Sequence, residues 1–172
     1  MPWHSAAFAS PPAWRSWLGD RGSLTQRLTA ACPGFRVERL RQQRARPFAD
    51  ECAALGLRRG ERALVREALL LCGDTPLVYA HSVIPLAGLR GPWRALAGLG
   101  HQPLGAALFA DPRIERQPLR WRALDDRHPL YRQAGRCLPG LPSRLWARRS
   151  LFSLEGRPIL VTEVFLPEVL RL

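Results

Sequence analysis

Two charged residues stand side by side in one of the most apolar stretches of the chain. Residues 64–85 read LVREALLLCGDTPLVYAHSVIP, and Arg66 and Glu67 lie near the start of this stretch. Successive residues of a β-strand point to opposite faces of the sheet, so one of the two must face whatever that sheet buries. Glu163, in the segment ILVTEVFL, is a further charge in an apolar strand. Such charges are unfavourable unless they are paired or hydrogen-bonded.

Two interpretations of these charges are open. The first is an internal salt bridge, in which Arg66 or a neighbour pairs with Glu163 or Glu67. The second is a closed pocket, in which the guanidinium of Arg66 binds a carboxylate through two parallel N–H groups and Glu163 contacts a hydroxyl. A charged side chain in an apolar site is a frequent sign of function. The spacing alone does not decide between the two.

The elements that must position these residues are mostly strands joined by tight turns. One hairpin turns at Gly73–Asp74, and a second, within LWARRSLFSLEGRPILVTEVFLP, turns at Glu155–Gly156. Pro118 interrupts a further strand and suggests an edge position or a bulge. The expected strands number about six: 35–45, 61–72, 76–84, 114–124 and the two arms of the second hairpin.

Short helices are expected between and before these strands. Residues 12–31 predict two helices broken at Gly19–Gly22, with Ser23 as the N-cap of the second. Two more are expected near 92–98 and 103–110, whereas 125–143 is punctuated by Pro and Gly and predicts a loop. The βαβ alternation of a parallel sheet is missing. We therefore expect one α+β domain over residues 1–172, with an antiparallel sheet, helices on one side of it and a flexible segment at 1–11.

The amino-acid composition and the missing sequence motifs exclude several classes of catalytic site. The net charge is +12 and all 26 basic residues are arginine, so no lysine can form a Schiff base or bind phosphate in a P-loop. Neither G-x-S-x-G nor G-x-G-x-x-G occurs. The four cysteines (Cys32, Cys52, Cys72, Cys137) have no zinc-site spacing, and we expect reduced structural thiols and no metal or other cofactor. No apolar run approaches the roughly 20 residues of a membrane span, and without a secretory signal pattern we expect a cytoplasmic protein.

Three segments together resemble the chorismate pyruvate-lyase family. They are REALLLCGDTPLVYAHSVIPL at 66–86, QPLGAALF at 102–109 and ARRSLFSLEGRPILVTEVFLP at 147–167, in the family's order and spacing. The likeness covers roughly residues 12–170. It implies the conversion of chorismate to 4-hydroxybenzoate and pyruvate, a step of ubiquinone synthesis, without a cofactor. It also implies a six-stranded antiparallel sheet whose two helical flaps, around 17–31 and 92–110, cover a buried ligand.

The resemblance also assigns residues. Arg66 is similar to the family's carboxylate-binding arginine, and Glu163 to the glutamate that contacts the ring hydroxyl. Leu104 matches a residue whose backbone helps to hold the ligand, and Leu24 falls where the family has another backbone contact, usually from a methionine. His81 is a departure, because the family often has a second arginine there. The loop at 125–143 is longer and more basic than the resemblance implies.

Other functions fit part of the pattern. The same fold type resembles the effector-binding domains of some bacterial transcription regulators, which would make the chain a sensor of small aromatic acids. The positive charge and the arginines of 36–46 would suit nucleic acid, but aromatic residues for base stacking are not interleaved there. A lyase that yields a different hydroxybenzoate isomer is a further alternative within the enzyme class. We expect a monomer with a small-molecule substrate, no specific nucleic-acid partner and no membrane insertion.

Overall fold

The computed structural model describes residues 2–5 and 10–172 of the chain. These residues include six α-helices, seven strands and the short 3₁₀ segments Arg94–Gly98 and Pro167–Arg171. The helices are α1 Pro12–Leu18, α2 Leu24–Ala31, α3 Ala49–Leu55, α4 Leu86–Leu89, α5 Leu104–Ala110 and α6 Pro129–Ala134. The strands are β1 Phe35–Ala45, β2 Ala63–Cys72, β3 Thr75–Pro85, β4 Glu115–Arg116, β5 Arg120–Leu124, β6 Leu145–Leu154 and β7 Arg157–Phe165.

The strands form one antiparallel sheet in the order β1-β2-β3-β7-β6-β4, with β5 also paired to β6. The predicted α+β class is confirmed. The count is seven rather than six, because Pro118 has no backbone N–H to donate and splits the predicted strand 114–124 into β4 and β5. Both hairpins turn where the sequence predicts, and Glu155 and Gly156 have the positive φ angles of a two-residue hairpin turn.

Helices cover both faces of the sheet: the predicted flap helices α2 and α5 lie on the face with the cavity, and α6 lies on the other face. On the face that carries Leu70 and Phe165, α1 and α2 bury Trp17 and Leu28. On the other face, α6 packs Leu130 against the sheet. The reason lies in β2 and its neighbours, which are buried along almost their whole length and therefore need cover on both sides.

Local predictions for α2, for residues 125–143 and for the first residues of the chain can be compared with the structure. Ser23 caps α2, where its hydroxyl oxygen accepts a hydrogen bond from the backbone N–H of Gln26 at 3.4 Å. The segment 125–143 was predicted to be a loop, but it contains α6; Pro129 begins this helix and the His128 side chain caps it. Of the segment predicted as flexible, 1–11, residues 1 and 6–9 lie outside the described part, and His4 forms a β-bridge with Trp121.

The prediction of four reduced cysteines is also wrong. Cys32 and Cys72 form a disulfide with their Cα atoms 5.9 Å apart, whereas Cys52 and Cys137 are free. Cys32 directly follows α2, and three residues later Phe35 pairs with Cys72 in the β1–β2 ladder, so the chain brings the two sulfurs together. The bond ties the end of α2 to the sheet. Within the described residues, no helix is long and apolar enough to cross a bilayer.

Candidate active site

A cavity lies between one face of the sheet and the helices α2 and α5. The centre of a water-sized sphere can move through about 50 Å³ of it. Small side chains of the central strands form its floor, and the first residues of two helices form its roof. The floor residues include Ala68, Ala80, Ser82, Ser150 and Val161, and the roof residues include Leu24, Thr25, Leu104, Gly105 and Leu108.

Arg66 lines this cavity as a buried cation that has no acidic partner in the described part of the chain. Its side chain follows β2 onto the cavity face, and the residue is only 3% exposed. One terminal nitrogen, Nη2, donates to the carbonyl oxygens of Gly100 at 3.1 Å and Gln102 at 2.9 Å. Nε is buried with no partner among the described residues, where no carboxylate lies within 4.0 Å of the guanidinium. Burial, and then the charge of Arg39, lower the pKa of Arg66.

Glu67, on the opposite face of β2, has the structural role that the first interpretation describes. Its Oε1 lies 2.6 Å from Nη2 of Arg41, and 3.6 Å from Nδ1 of His81. The two neighbouring charges therefore separate as strand alternation requires. The charge of Glu67 is balanced by Arg41 and His81 on the same face of the sheet, whereas Arg66 faces the cavity.

Glu163 also lines the cavity, and it has an arginine partner that the sequence analysis missed. Arg148 stands directly opposite Glu163 in the β6–β7 ladder, and its Nε donates to Oε2 at 2.5 Å. The Arg148 side chain is fully buried, and its Nη1 donates to the carbonyl oxygens of Trp17 and Asp20, both at 2.7 Å. Arg148 thereby fixes the glutamate and binds the end of α1 to the sheet.

Arg116, in β4, is a third arginine near the cavity and a second residue that the sequence analysis missed. It lines the cavity, and its Nη1 donates to the carbonyl oxygen of Arg21 at 2.7 Å. Burial lowers the pKa of Arg116. Arg116 lies just before Pro118 in a strand of two residues, which is too short for alternation to predict the face that its side chain occupies.

Leu24 and Leu104 both lie in the roof of the cavity, as the first residues of α2 and α5. The backbone N–H of a first helical residue has no partner within its own helix. Each leucine therefore combines an apolar side chain with a polar backbone group that a ligand can use. Among the described residues, no group of three or more His, Cys, Asp or Glu side chains has the arrangement of a metal site.

Comparison with known proteins decides the family. The model of the chorismate lyase family matches residues 2–171. The chain belongs to the chorismate lyase family. It is 51% identical over 171 residues to a probable chorismate pyruvate-lyase of Nitrosospira multiformis, covering 99% of this chain and 95% of that protein. A probable chorismate pyruvate-lyase of Thiobacillus denitrificans is 51% identical over 168 residues, covering 98% and 90%. The family resemblance of the sequence is confirmed.

Solved structures share the fold at much lower identity. The C-terminal domain of PhnF superimposes with a TM-score of 0.59 and 15% identity, covering 80% of this chain and 87% of that one. The ligand-binding domain of a putative GntR-family regulator from Bordetella bronchiseptica gives a TM-score of 0.53 and 21% identity, covering 78% and 85%. At such identities the likeness concerns the fold alone. It supports the α+β architecture that the family membership requires.

His81, where the family resemblance implies an arginine, lies on the sheet face opposite the cavity. Its Nε2 is 3.1 Å from Oε1 of Glu51, its ring stacks on Phe48, and it is buried. Burial lowers the pKa of His81, but the carboxylates of Glu51 and Glu67 outweigh this effect and raise it to about 9. Burial raises the pKa of Glu67, which His81 and Arg41 lower in turn to about 2. A charged histidine thus joins α3 to β2.

We expect this histidine to make the protein less stable in alkali. A group with a raised pKa stabilises the fold fully below its unfolded value, about 6.5, and loses that contribution as the pH rises through about 9. The free energy of unfolding should therefore fall between pH 6.5 and 9.5 by about 1–3 kcal/mol more in the wild type than in His81→Gln. Urea unfolding of both proteins across this range measures the difference. Parallel pH profiles would show that His81 is neutral in the fold.

Proposed function

We propose that the cavity converts chorismate to 4-hydroxybenzoate and pyruvate, and that the product serves ubiquinone synthesis. The observation that carries the assignment is Arg66, a buried guanidinium that faces the cavity without a carboxylate partner among the described residues. The membership of the chain in the chorismate lyase family supports the substrate. Chorismate is a dianion, and its ring carboxylate is the partner that Arg66 lacks.

Binding would orient the substrate along the cavity floor. Arg66 lies on β2 and Glu163 on β7, with β3 between them. A ring whose carboxylate is held by Arg66 extends across Ala80 towards Glu163, which is paired across the ladder with that alanine. The ring hydroxyl of chorismate stands opposite the carboxylate, and it would donate to Glu163. This placement uses both charges of the predicted pocket.

The reaction needs positioning and charge stabilisation rather than a covalent nucleophile. C4 of the ring loses its hydrogen as a proton, and the electron pair of that bond completes the aromatic ring. The bond from C3 to the ether oxygen breaks, and that oxygen leaves with its electron pair as the enolate of pyruvate. Protonation of the methylene carbon then gives pyruvate. Since aromatisation drives the reaction downhill, the site has only to lower the barrier.

The helices above the cavity would keep water out during this step. We propose that Leu24 and Leu104 hold the ligand through the backbone N–H groups that begin α2 and α5. The two helices approach closely at Gly105, where an added Cβ would lie 2.7 Å from Oγ1 of Thr25. The absence of a side chain at residue 105 allows the flaps to close, and their opening then governs product release.

Gly105→Val is expected to hold the two flaps apart. The extra atoms must displace Thr25, and overpacking of this kind costs about 1–3 kcal/mol in the closed form. The affinity for 4-hydroxybenzoate should fall by about tenfold and its dissociation rate should rise correspondingly. Stopped-flow fluorescence with labelled flaps measures both. Gly98→Ala is the control, because a Cβ there meets open space; equal behaviour of the two variants would contradict the closure at residue 105.

The function is tested by incubating the purified protein with chorismate and EDTA, without added metal or nucleotide. We expect 4-hydroxybenzoate and pyruvate in equal amounts, identified by chromatography against the 2- and 3-hydroxybenzoate isomers. A different isomer would keep the lyase and correct its product. If chorismate survives while calorimetry shows tight binding of 4-hydroxybenzoate, the chain is a sensor of aromatic acids, as the shared fold of the regulator domains would suggest.

The proposal includes a monomer in the cytoplasm. Among the described residues, the large hydrophobic side chains that are exposed are Phe109, Leu170 and Leu172, too few for an obligate interface. Light scattering of the purified protein tests the monomer, and cell fractionation tests the compartment. Disulfides are rare in the cytosol, so the bond between Cys32 and Cys72 is the observation that argues against this location.

A further inference from the structure

Arg116 lines the cavity but has no role in the proposed binding of the substrate ring. Its guanidinium carbon lies 5.3 Å from the ring centre of Phe109 and 5.1 Å from that of Phe152. Its Nη1 donates to the carbonyl oxygens of Arg21 at 2.7 Å and Gly22 at 3.4 Å. Two aromatic rings and two carbonyl groups thus hold the guanidinium in place. Nε is buried and has no partner among the described residues.

No carboxylate of the described residues lies within 4.0 Å of Arg116, although its charge is close enough to interact with Glu163 and Asp20. Arg148 is the other cation in this region, but it does not line the cavity. Its Nε and Nη1 are already bonded to Glu163 and to the carbonyls of Trp17 and Asp20. Arg116 is therefore the cation at this end of the cavity that can receive an anion.

The positions in the sheet place Arg116 at the far end of the cavity from Arg66. β2 and β4 are four strand positions apart in the sheet, with β3, β7 and β6 between them. At the usual strand spacing, the backbones of β2 and β4 are about 19 Å apart, and both arginine side chains line the cavity between them. Glu163, on β7, lies between them. A ligand that spans the cavity thus meets one arginine at each end and a glutamate in the middle. Two carboxylates on one small molecule match this order of charges.

We infer that Arg116 binds the second carboxylate of the substrate, on the enolpyruvyl side chain. This assignment rests on the proposed lyase function. The ether oxygen is bonded to C3, next to the carbon whose hydroxyl faces Glu163, so the side chain leaves the ring at the end of the cavity where Arg116 lies. The guanidinium also meets the charge that grows on the ether oxygen as the bond to C3 breaks. The product 4-hydroxybenzoate lacks this carboxylate and loses that contact.

The difference between substrate and product gives the test. In Arg116→Gln, kcat/KM for chorismate should fall by about 30- to 1000-fold, the usual effect of removing one partner of a buried charged pair. The dissociation constant of 4-hydroxybenzoate should change by less than about threefold. Arg113→Gln is the matched control, because Arg113 is exposed and bonded to Asp111; both constants should keep their wild-type values.

Two results would overturn the inference. Equal losses of chorismate turnover and 4-hydroxybenzoate affinity would mean that Arg116 only supports the flap at residues 21–22. A value of kcat/KM within threefold of wild type would remove Arg116 from substrate binding. Failure of the wild type to convert chorismate would instead overturn the proposed function, before any variant is compared.

A change in the ligand tests the same contact without a variant that has to fold. A chorismate derivative with only the enolpyruvyl carboxylate esterified keeps the ring carboxylate and the hydroxyl. The wild-type protein should process it about 30- to 1000-fold less efficiently than chorismate. Arg116→Lys, which keeps a cation but not the planar fork, should retain part of the preference for the free acid. Equal turnover of ester and acid by the wild type would contradict the inference.

Discussion

Arg66→Met is expected to weaken the binding of 4-hydroxybenzoate by about 30- to 1000-fold, the loss that follows when one partner of a buried hydrogen-bonded charge pair is removed. The ring carboxylate would then enter an apolar pocket with no cation to receive it. Chorismate presents the same carboxylate, so its kcat/KM should fall by a similar factor.

The same substitution should leave the empty protein at least as stable as the wild type. Arg66 is buried without an acidic partner among the described residues, and its desolvation works against the folded state. Methionine has a similar length and no charge to desolvate. The hydrogen bonds to Gly100 and Gln102 are lost, but those carbonyls belong to a loop that water can reach. If Arg66 serves to bind the ligand, Arg66→Met should therefore lower the affinity for 4-hydroxybenzoate without lowering the stability of the empty protein.

Calorimetry with 4-hydroxybenzoate and thermal unfolding of the empty protein measure the two quantities. Arg62→Met is the matched control, an exposed arginine just before the same strand, and it should change neither. Near-wild-type affinity in Arg66→Met would remove Arg66 from the site. A large loss of stability with a modest loss of affinity would make Arg66 a structural residue, as the salt-bridge interpretation holds.

Sequence alternation was sufficient to separate Arg66 from Glu67, but not to say which of them faces a ligand. Both faces of β2 are apolar, and the choice depends on what covers each face. The partners of Glu67 come from β1 and β3, which supply Arg41 and His81. The cover of the other face comes from α2 and α5, whose first residues leave space above the small side chains of the floor. Such packing between distant segments has no local signal.

The missed residues differ in how far they could be predicted. Arg148 follows from the turn at Glu155–Gly156, since counting six residues back from Leu154 and six forward from Arg157 pairs Arg148 with Glu163. Arg116 had no such signal, because Pro118 breaks the strand that would give its register. The Cys32–Cys72 bond depends on the pairing of β1 with β2, two strands that no tight turn connects. Prediction succeeded where hairpins fix the register and failed where the register is non-local.

Glu163→Gln is expected to reduce kcat for chorismate by about 100-fold or more, because a neutral amide no longer stabilises the reacting ring through its hydroxyl. The affinity for 4-hydroxybenzoate should fall much less, since the amide oxygen can keep the bond from Arg148 while the amide NH2 donates to the oxygen of that hydroxyl. Steady-state kinetics and calorimetry give the two values. Glu155→Gln, at the exposed turn of the same hairpin, is the control and should match the wild type.

This variant should also lose stability, which distinguishes it from Arg66→Met. Arg148 is fully buried, and without the Glu163 carboxylate it becomes an unpaired buried charge. Breaking such a pair costs about 3–5 kcal/mol, and the retained hydrogen bond to the amide oxygen favours the lower end. Urea unfolding of Glu163→Gln measures this loss. An unchanged free energy of unfolding would mean that Arg148 finds its partner elsewhere.

A double variant separates the two roles of Glu163. Adding Arg148→Met to Glu163→Gln removes the unpaired charge, and an apolar replacement of a buried ion pair is often neutral for stability. The double variant should therefore regain most of the free energy of unfolding without regaining activity. Recovery of activity together with stability would show that Glu163 acts only through the fold. Stability without activity leaves Glu163 as the group that meets the substrate, held in place by an arginine that itself never reaches the cavity.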